Sequence, residues 1–138
     1  MFHKIVLLLL FLVIAAVFYF SWLSDPSLSS ETYLPRWLLN WSNHYYNLRT
    51  AVPFIGLGFL LEVYGDRNDL NEVNSNKKLN FIQNIVFAAI IVCIAEGGQF
   101  LIQRRSPDFM DVFYGIIGSI IGALSYNVLK KIKNAKQT

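Results

Sequence analysis

An all-α membrane bundle of four transmembrane helices, with both termini cytoplasmic and an interfacial helix in the first outer loop, is the fold this sequence predicts. Three observations carry the prediction: four long apolar runs, a scarcity of charge, and lysines gathered on alternate connections. Only 15% of the 138 residues are charged, against about 25% in soluble domains, so most of this surface does not suit water. A chain of this length corresponds to one domain. The net charge of +3 has no polar domain to sit on, which excludes nucleic acid as a partner and leaves the lipid bilayer as the first one.

The spans follow from length, since roughly 20 helical residues cross a hydrocarbon core of about 30 Å. They are placed at about 5–23, 48–64, 79–102 and 109–129. Backbone in lipid must satisfy its own hydrogen bonds, so each is a helix. The first, IVLLLLFLVIAAVFYFSWL, outlasts the apolar stretch of a signal peptide and lacks a small-residue cleavage site, so a retained anchor is expected. The second is interrupted by Arg49, Pro53, Gly56, Gly58 and Glu62.

Orientation follows from the basic residues. With the N-terminus inside, the inner side collects Lys4, Arg67, Lys77, Lys78, Lys130, Lys131, Lys133 and Lys136. The outer side holds Arg36, Arg49, Arg104 and Arg105. Residues 65–78 read as a solvated inner loop, and 130–138 as a basic tail on the inner leaflet. In the first outer loop, Leu34, Trp37, Leu38, Trp41 and Tyr45 recur at helical spacing behind Pro35, which predicts an amphipathic helix anchored in the headgroup layer. The sequon at Asn40 lies too near the membrane for glycosylation. Cys93, the single cysteine, reads as a small buried hydrophobe.

Chemistry concentrates between Glu96 and Gly122, EGGQFLIQRRSPDFMDVFYGIIGSIIG. Glu96 and Gln99 share one face near the outer end of the third span. A carboxylate at that depth is expensive unless it turns into the bundle and finds a partner. Arg105 follows, then Asp108 and Asp111 in the first turn of the last helix, where the helix dipole favours negative charge. The short connection should bring Glu96, Gln99, Arg105 and Asp111 to a common outer pocket, which Arg49 can join. The simplest reading is structural, with Arg105 neutralising Glu96 and Asp111 capping its helix. Gly115, Gly118 and Gly122 form a small-residue stripe that lets a neighbouring helix approach.

The order Glu96, Gln99, Arg105, Asp111, Gly118 and Gly122 resembles the VanZ-like membrane proteins, and so does the four-span layout. The resemblance is specific over about 27 residues. It implies a bacterial cell-envelope setting in the cytoplasmic membrane, with glycopeptide (teicoplanin) resistance in the founding member. Two positions depart from the family pattern: Gly115 stands where Asn is usual, and Pro53 where a basic pair is followed by His.

Two functions are expected to compete. In the first, the protein binds or acts on a lipid-linked or anionic envelope precursor at the outer leaflet. Glu96 and Asp111 are then the candidate catalytic carboxylates, and Arg105, Gln99, Asp108 and Arg49 the binding residues. In the second, it is a non-catalytic assembly or accessory subunit of an envelope polysaccharide machine; under either, homo- or hetero-oligomers in the membrane are expected partners. A transporter ranks third, because one polar cluster traces no path across. No Ser-His-Asp or Cys-His set exists, and Glu96, Asp108 and Asp111 lack the tight clustering that holds Mg²⁺ on a pyrophosphate, so no metal site is assigned and the sequence defines no cofactor.

Overall fold

In a computed structural model describing residues 1–25, 27–69 and 76–137, the chain is built of helices. In order these are α1 (Phe2–Ser21), α2 (Arg36–His44), α3 (Tyr46–Asp69), α4 (Lys77–Gly98) and α5 (Phe109–Ala135). A 3-10 turn, Gln99–Leu101, follows α4. All but α2 are long and apolar enough to cross a membrane.

The interior is narrow and periodic. Val6, Leu10 and Val17 of α1, Phe54, Leu57 and Leu61 of α3, and Ala88, Ile91, Val92 and Ala95 of α4 form one buried cluster. Their spacings of three, four and seven residues put each set on a single helical stripe. The outward stripes are equally apolar, with Phe11, Ile90, Phe113 and Val128 all exposed. A soluble protein could not carry such a surface, whereas lipid covers it at no cost. Cys93 belongs to this outer surface. Its expected burial fails because it follows Ile90 around the helix, while Val92 and Ala95 turn inward.

α3 and α5 touch backbone to backbone. A Cβ on Gly122 would stand 2.8 Å from the carbonyl carbon of Ile55 and from the amide nitrogen of Phe59. One on Gly118 would stand 3.1 Å from the carbonyl carbon of Ala51, and one on Gly58 would stand 2.7 Å from that of Ser119. Without a hydrophobic force between helices in lipid, such close approach supplies the dispersion contacts that join them.

Several helix ends differ from the sequence expectation. α3 continues through Asp69, five residues into the expected inner loop; positions 70–75 of that loop lie outside the described residues. α5 runs on to Ala135, so most of the basic tail is helical rather than extended on the leaflet. α4 ends at Gly98 and hands over to the 3-10 turn, then to extended Ile102 and left-handed Arg104 (φ 66°). That sequence of turns leaves Arg104 exposed and carries Arg105 back toward the bundle. α2 also sits differently: Leu38, Leu39, Trp41 and Ser42 face the bundle, while Trp37 and Tyr45 point away. The inward stripe is set by what lies beneath α2, a gap between α1 and α3, and not by the aromatic face alone.

Candidate functional site

The connection that follows α1 folds over the end of the bundle opposite the termini. Asp25 organises it by accepting hydrogen bonds from the Ser27 hydroxyl (2.7 Å), the Ser29 hydroxyl (2.9 Å) and the Ser30 amide (3.0 Å). These bonds hold its carboxyl well below the usual carboxylate range, the Ser27 hydroxyl contributing most. The turn places Leu28, in the left-handed conformation, as a buried plug beneath the connection.

Under this roof lies a cavity of about 290 Å³. Its apolar walls include Ala16, Val17 and Phe20 of α1, Leu28 of the connection, and Leu38 and Leu39 of α2. Its polar side holds Arg49, Thr50, Glu96, Gln99, Arg105 and Asp111. Five of the six candidate catalytic and binding residues, Arg49, Glu96, Gln99, Arg105 and Asp111, therefore line one space. Asp108 stands apart from it: its carboxylate caps α5 by accepting from the Met110 amide (2.8 Å).

Glu96 is 6% exposed and joins the two arms of the α4–α5 hairpin. One carboxylate oxygen accepts from Gln99 Nε2 (2.9 Å), the other from the Asp108 backbone amide (3.3 Å). Asp111, equally buried, accepts from the Thr50 hydroxyl across the α3–α5 interface (2.9 Å). Arg105 forms no ion pair with either carboxylate among the described residues. It donates through Nε (3.3 Å) and Nη2 (2.8 Å) to the Ser21 carbonyl, and through Nη2 to that of Phe20 (3.4 Å). These carbonyls end α1, where the last C=O groups lack helical partners and the dipole is negative, so the guanidinium caps that helix. The structural role expected for Arg105, neutralising Glu96, gives way to this one because α1 presents acceptors within reach of the fork.

Arg49 is half-buried, reaches the Ser42 hydroxyl (3.5 Å) and lies over the Tyr46 ring at 4.8 Å. Ser21 is the hub that the sequence reading missed. Its hydroxyl donates to the Ala95 carbonyl (3.2 Å) and accepts from Gln99 Nε2 (3.0 Å). Trp22 adds a bond from Nε1 to the same Ala95 carbonyl (3.0 Å) and stacks on Phe18. The Ser21–Trp22 pair closing an apolar run was the available signal; Thr50, 61 residues from its partner, offered none.

Pro53 and Gly115, the two departures from the family pattern, both lie near the cavity. Pro53 lines it, and a Cβ on Gly115 would stand 2.8 Å from Cγ2 of Val92, itself a lining residue. This part of the site is apolar, lined by Pro53, Phe54 and Val92.

Among known proteins, no curated sequence and no solved structure matches this chain. The VanZ/LLP1 family matches it over residues 4–130, a stretch that takes in every side chain of the cavity. With nearly its whole length matched, from α1 into the last turns of α5, the chain belongs to the VanZ/LLP1 family of membrane proteins.

Proposed function

We propose that this is a protein of the bacterial cytoplasmic membrane that binds a lipid-linked anionic envelope precursor at the outer leaflet. The observation that carries the reading is the division of one cavity into an apolar wall and a polar floor with two arginines. A lipid-linked phosphate has the same division. Its volume, about 290 Å³, lies at the lower end of small-molecule sites, which suits a head group and the first units of a chain. Arg49 and Arg105 would hold the anion, since their planar forks match phosphate and carboxylate oxygens. Glu96 is the deeper group available for proton transfer, with Gln99 and the Asp108 amide fixing its orientation.

A second reading, the non-catalytic accessory subunit, draws on a different observation. Every buried side-chain nitrogen and oxygen among the described residues has a hydrogen-bond partner within the protein. A site this satisfied can hold a hairpin together without turning anything over.

The test is lipid analysis of protein purified in mild detergent, comparing wild type with Ala16→Trp, which fills the cavity from its exposed α1 wall. An anionic lipid-linked species should be enriched with wild type and lost with Ala16→Trp at unchanged thermal stability. Equal retention by both proteins would refute binding in this cavity. Glu96→Gln then separates the readings: an enzyme loses an envelope phenotype while still binding, and an accessory subunit keeps it.

A further inference from the structure

A second cavity, of about 480 Å³, opens at the end of the bundle that carries the termini, between α3, α4 and α5. Its rim brings together Lys77 and Lys78 from the start of α4 and Lys130 and Lys131 from the end of α5. Two acidic residues, Glu62 and Asp66, lie on its α3 wall. Both are already engaged. Asp66 pairs with Lys130 and accepts from the Tyr126 hydroxyl (2.9 Å). Glu62, 8% exposed, accepts from the amides of Asn84 (3.0 Å) and Asn127 (3.5 Å).

Lys77, Lys78 and Lys131 face the cavity without a salt bridge to any described carboxylate, and the four lysines of its lining outnumber its two acids. The α4 helix starts here too, adding the positive end of its dipole to the same space. We infer that this cavity binds the phosphate of an anionic phospholipid headgroup from the leaflet on the side of the termini. Excess positive charge places this side in the cytoplasm, where the leaflet is negatively charged.

The surroundings favour a lipid over a soluble phosphate. Phe81 and Leu124 form the apolar part of the cavity lining. Beyond them, Ile82 and Val86 of α4 and Ile121 and Val128 of α5 are exposed along the lipid-facing surface. A headgroup phosphate held among the lysines could lay its acyl chains on these stripes, and inorganic phosphate would leave them unused.

The purified full-length protein in mild detergent tests the assignment by native mass spectrometry and thermal stability, with dioleoyl-phosphatidylglycerol, dioleoyl-phosphatidylcholine or inorganic phosphate added. Wild type should retain phosphatidylglycerol and be stabilised by it, with at least tenfold weaker binding of phosphatidylcholine. Lys77→Gln/Lys78→Gln/Lys131→Gln should lose at least tenfold in phosphatidylglycerol affinity while keeping its lipid-free stability. Lys131→Gln alone, for a triple variant that does not fold, should lose at least threefold. Lys133→Gln/Lys136→Gln removes charge from the same end of α5 outside the cavity, and should bind as wild type does. Equal losses in that control would reduce the effect to general surface charge and overturn the site. Stabilisation by inorganic phosphate as great as by phosphatidylglycerol would overturn the lipid assignment.

Discussion

Replacing Gly122 with alanine tests the α3–α5 contact most directly. The added methyl would stand 2.8 Å from the carbonyl carbon of Ile55 and from the Phe59 nitrogen, and nearer still to the Ile55 carbonyl oxygen. Ordinary contact begins at 3.4 Å, so the two helices must separate by at least about 0.6 Å. The obstructing atoms are backbone and cannot rotate aside, which places the substitution at the upper end of overpacking effects, about 3 kcal/mol. A difference of that size shifts the folded fraction by roughly a hundredfold. Gly56→Ala is the matched control on α3, because nothing lies within 4 Å of its added methyl. Removing backbone freedom there should instead stabilise the helix by about 0.5–1 kcal/mol. Unfolding in mixed micelles, followed by tryptophan fluorescence, compares the two variants. If Gly122→Ala proves no less stable than Gly56→Ala, the close contact between α3 and α5 is refuted.

The remaining expectations concern the site and the orientation. Thr50→Val keeps the shape but removes the donor to Asp111, leaving a buried carboxylate short of a bond, and should lower stability by about 1–3 kcal/mol in the same unfolding assay. Arg105→Lys retains positive charge at the end of α1 but cannot reproduce the fork to the Phe20 and Ser21 carbonyls, so a loss of about 1 kcal/mol is expected. Asp25 has a lowered folded pKa, so its contribution is full above the unfolded value of about 3.9 and is lost as pH falls below it. Maleimide labelling at Leu28→Cys, in a Cys93→Ala background, should accordingly stay slow from pH 7 to pH 5.5 and rise at pH 7 when Asp25→Asn is added. In intact cells of the same background, an impermeant thiol reagent should label a cysteine at position 30 but not at 136; the reverse result would invert the topology.

Local pattern carried most of the fold. Twenty-residue apolar runs leave a helix as the only structure that keeps its hydrogen bonds in lipid, so the four spans were legible from composition and length. The start of α5 was legible for an equally local reason, the unpaired amides of a first turn, but the residue that caps them is Asp108, while Asp111, expected as the cap, turns to Thr50 instead. The ends of α3, α4 and α5 were less so, because polar residues stay helical beyond the membrane when nothing terminates them.

What the tertiary structure alone decided was the partner of each polar side chain. Spacing placed Glu96, Gln99, Arg105 and Asp111 in one neighbourhood, but the acceptors that Arg105 uses are backbone carbonyls of α1, 84 and 85 positions away. Asp111 meets Thr50 only because glycines let α5 lie directly on α3. Cys93 faces outward and α2 turns Leu38 and Leu39 inward because neighbouring helices occupy particular sides of them. A sequence by itself determined which segments of this protein must be helices in a membrane, since that depends on residues a few positions apart. Which faces meet, and hence which charges find which partners, depends on helix rotation, and in lipid an apolar stripe is equally at home facing inward or outward.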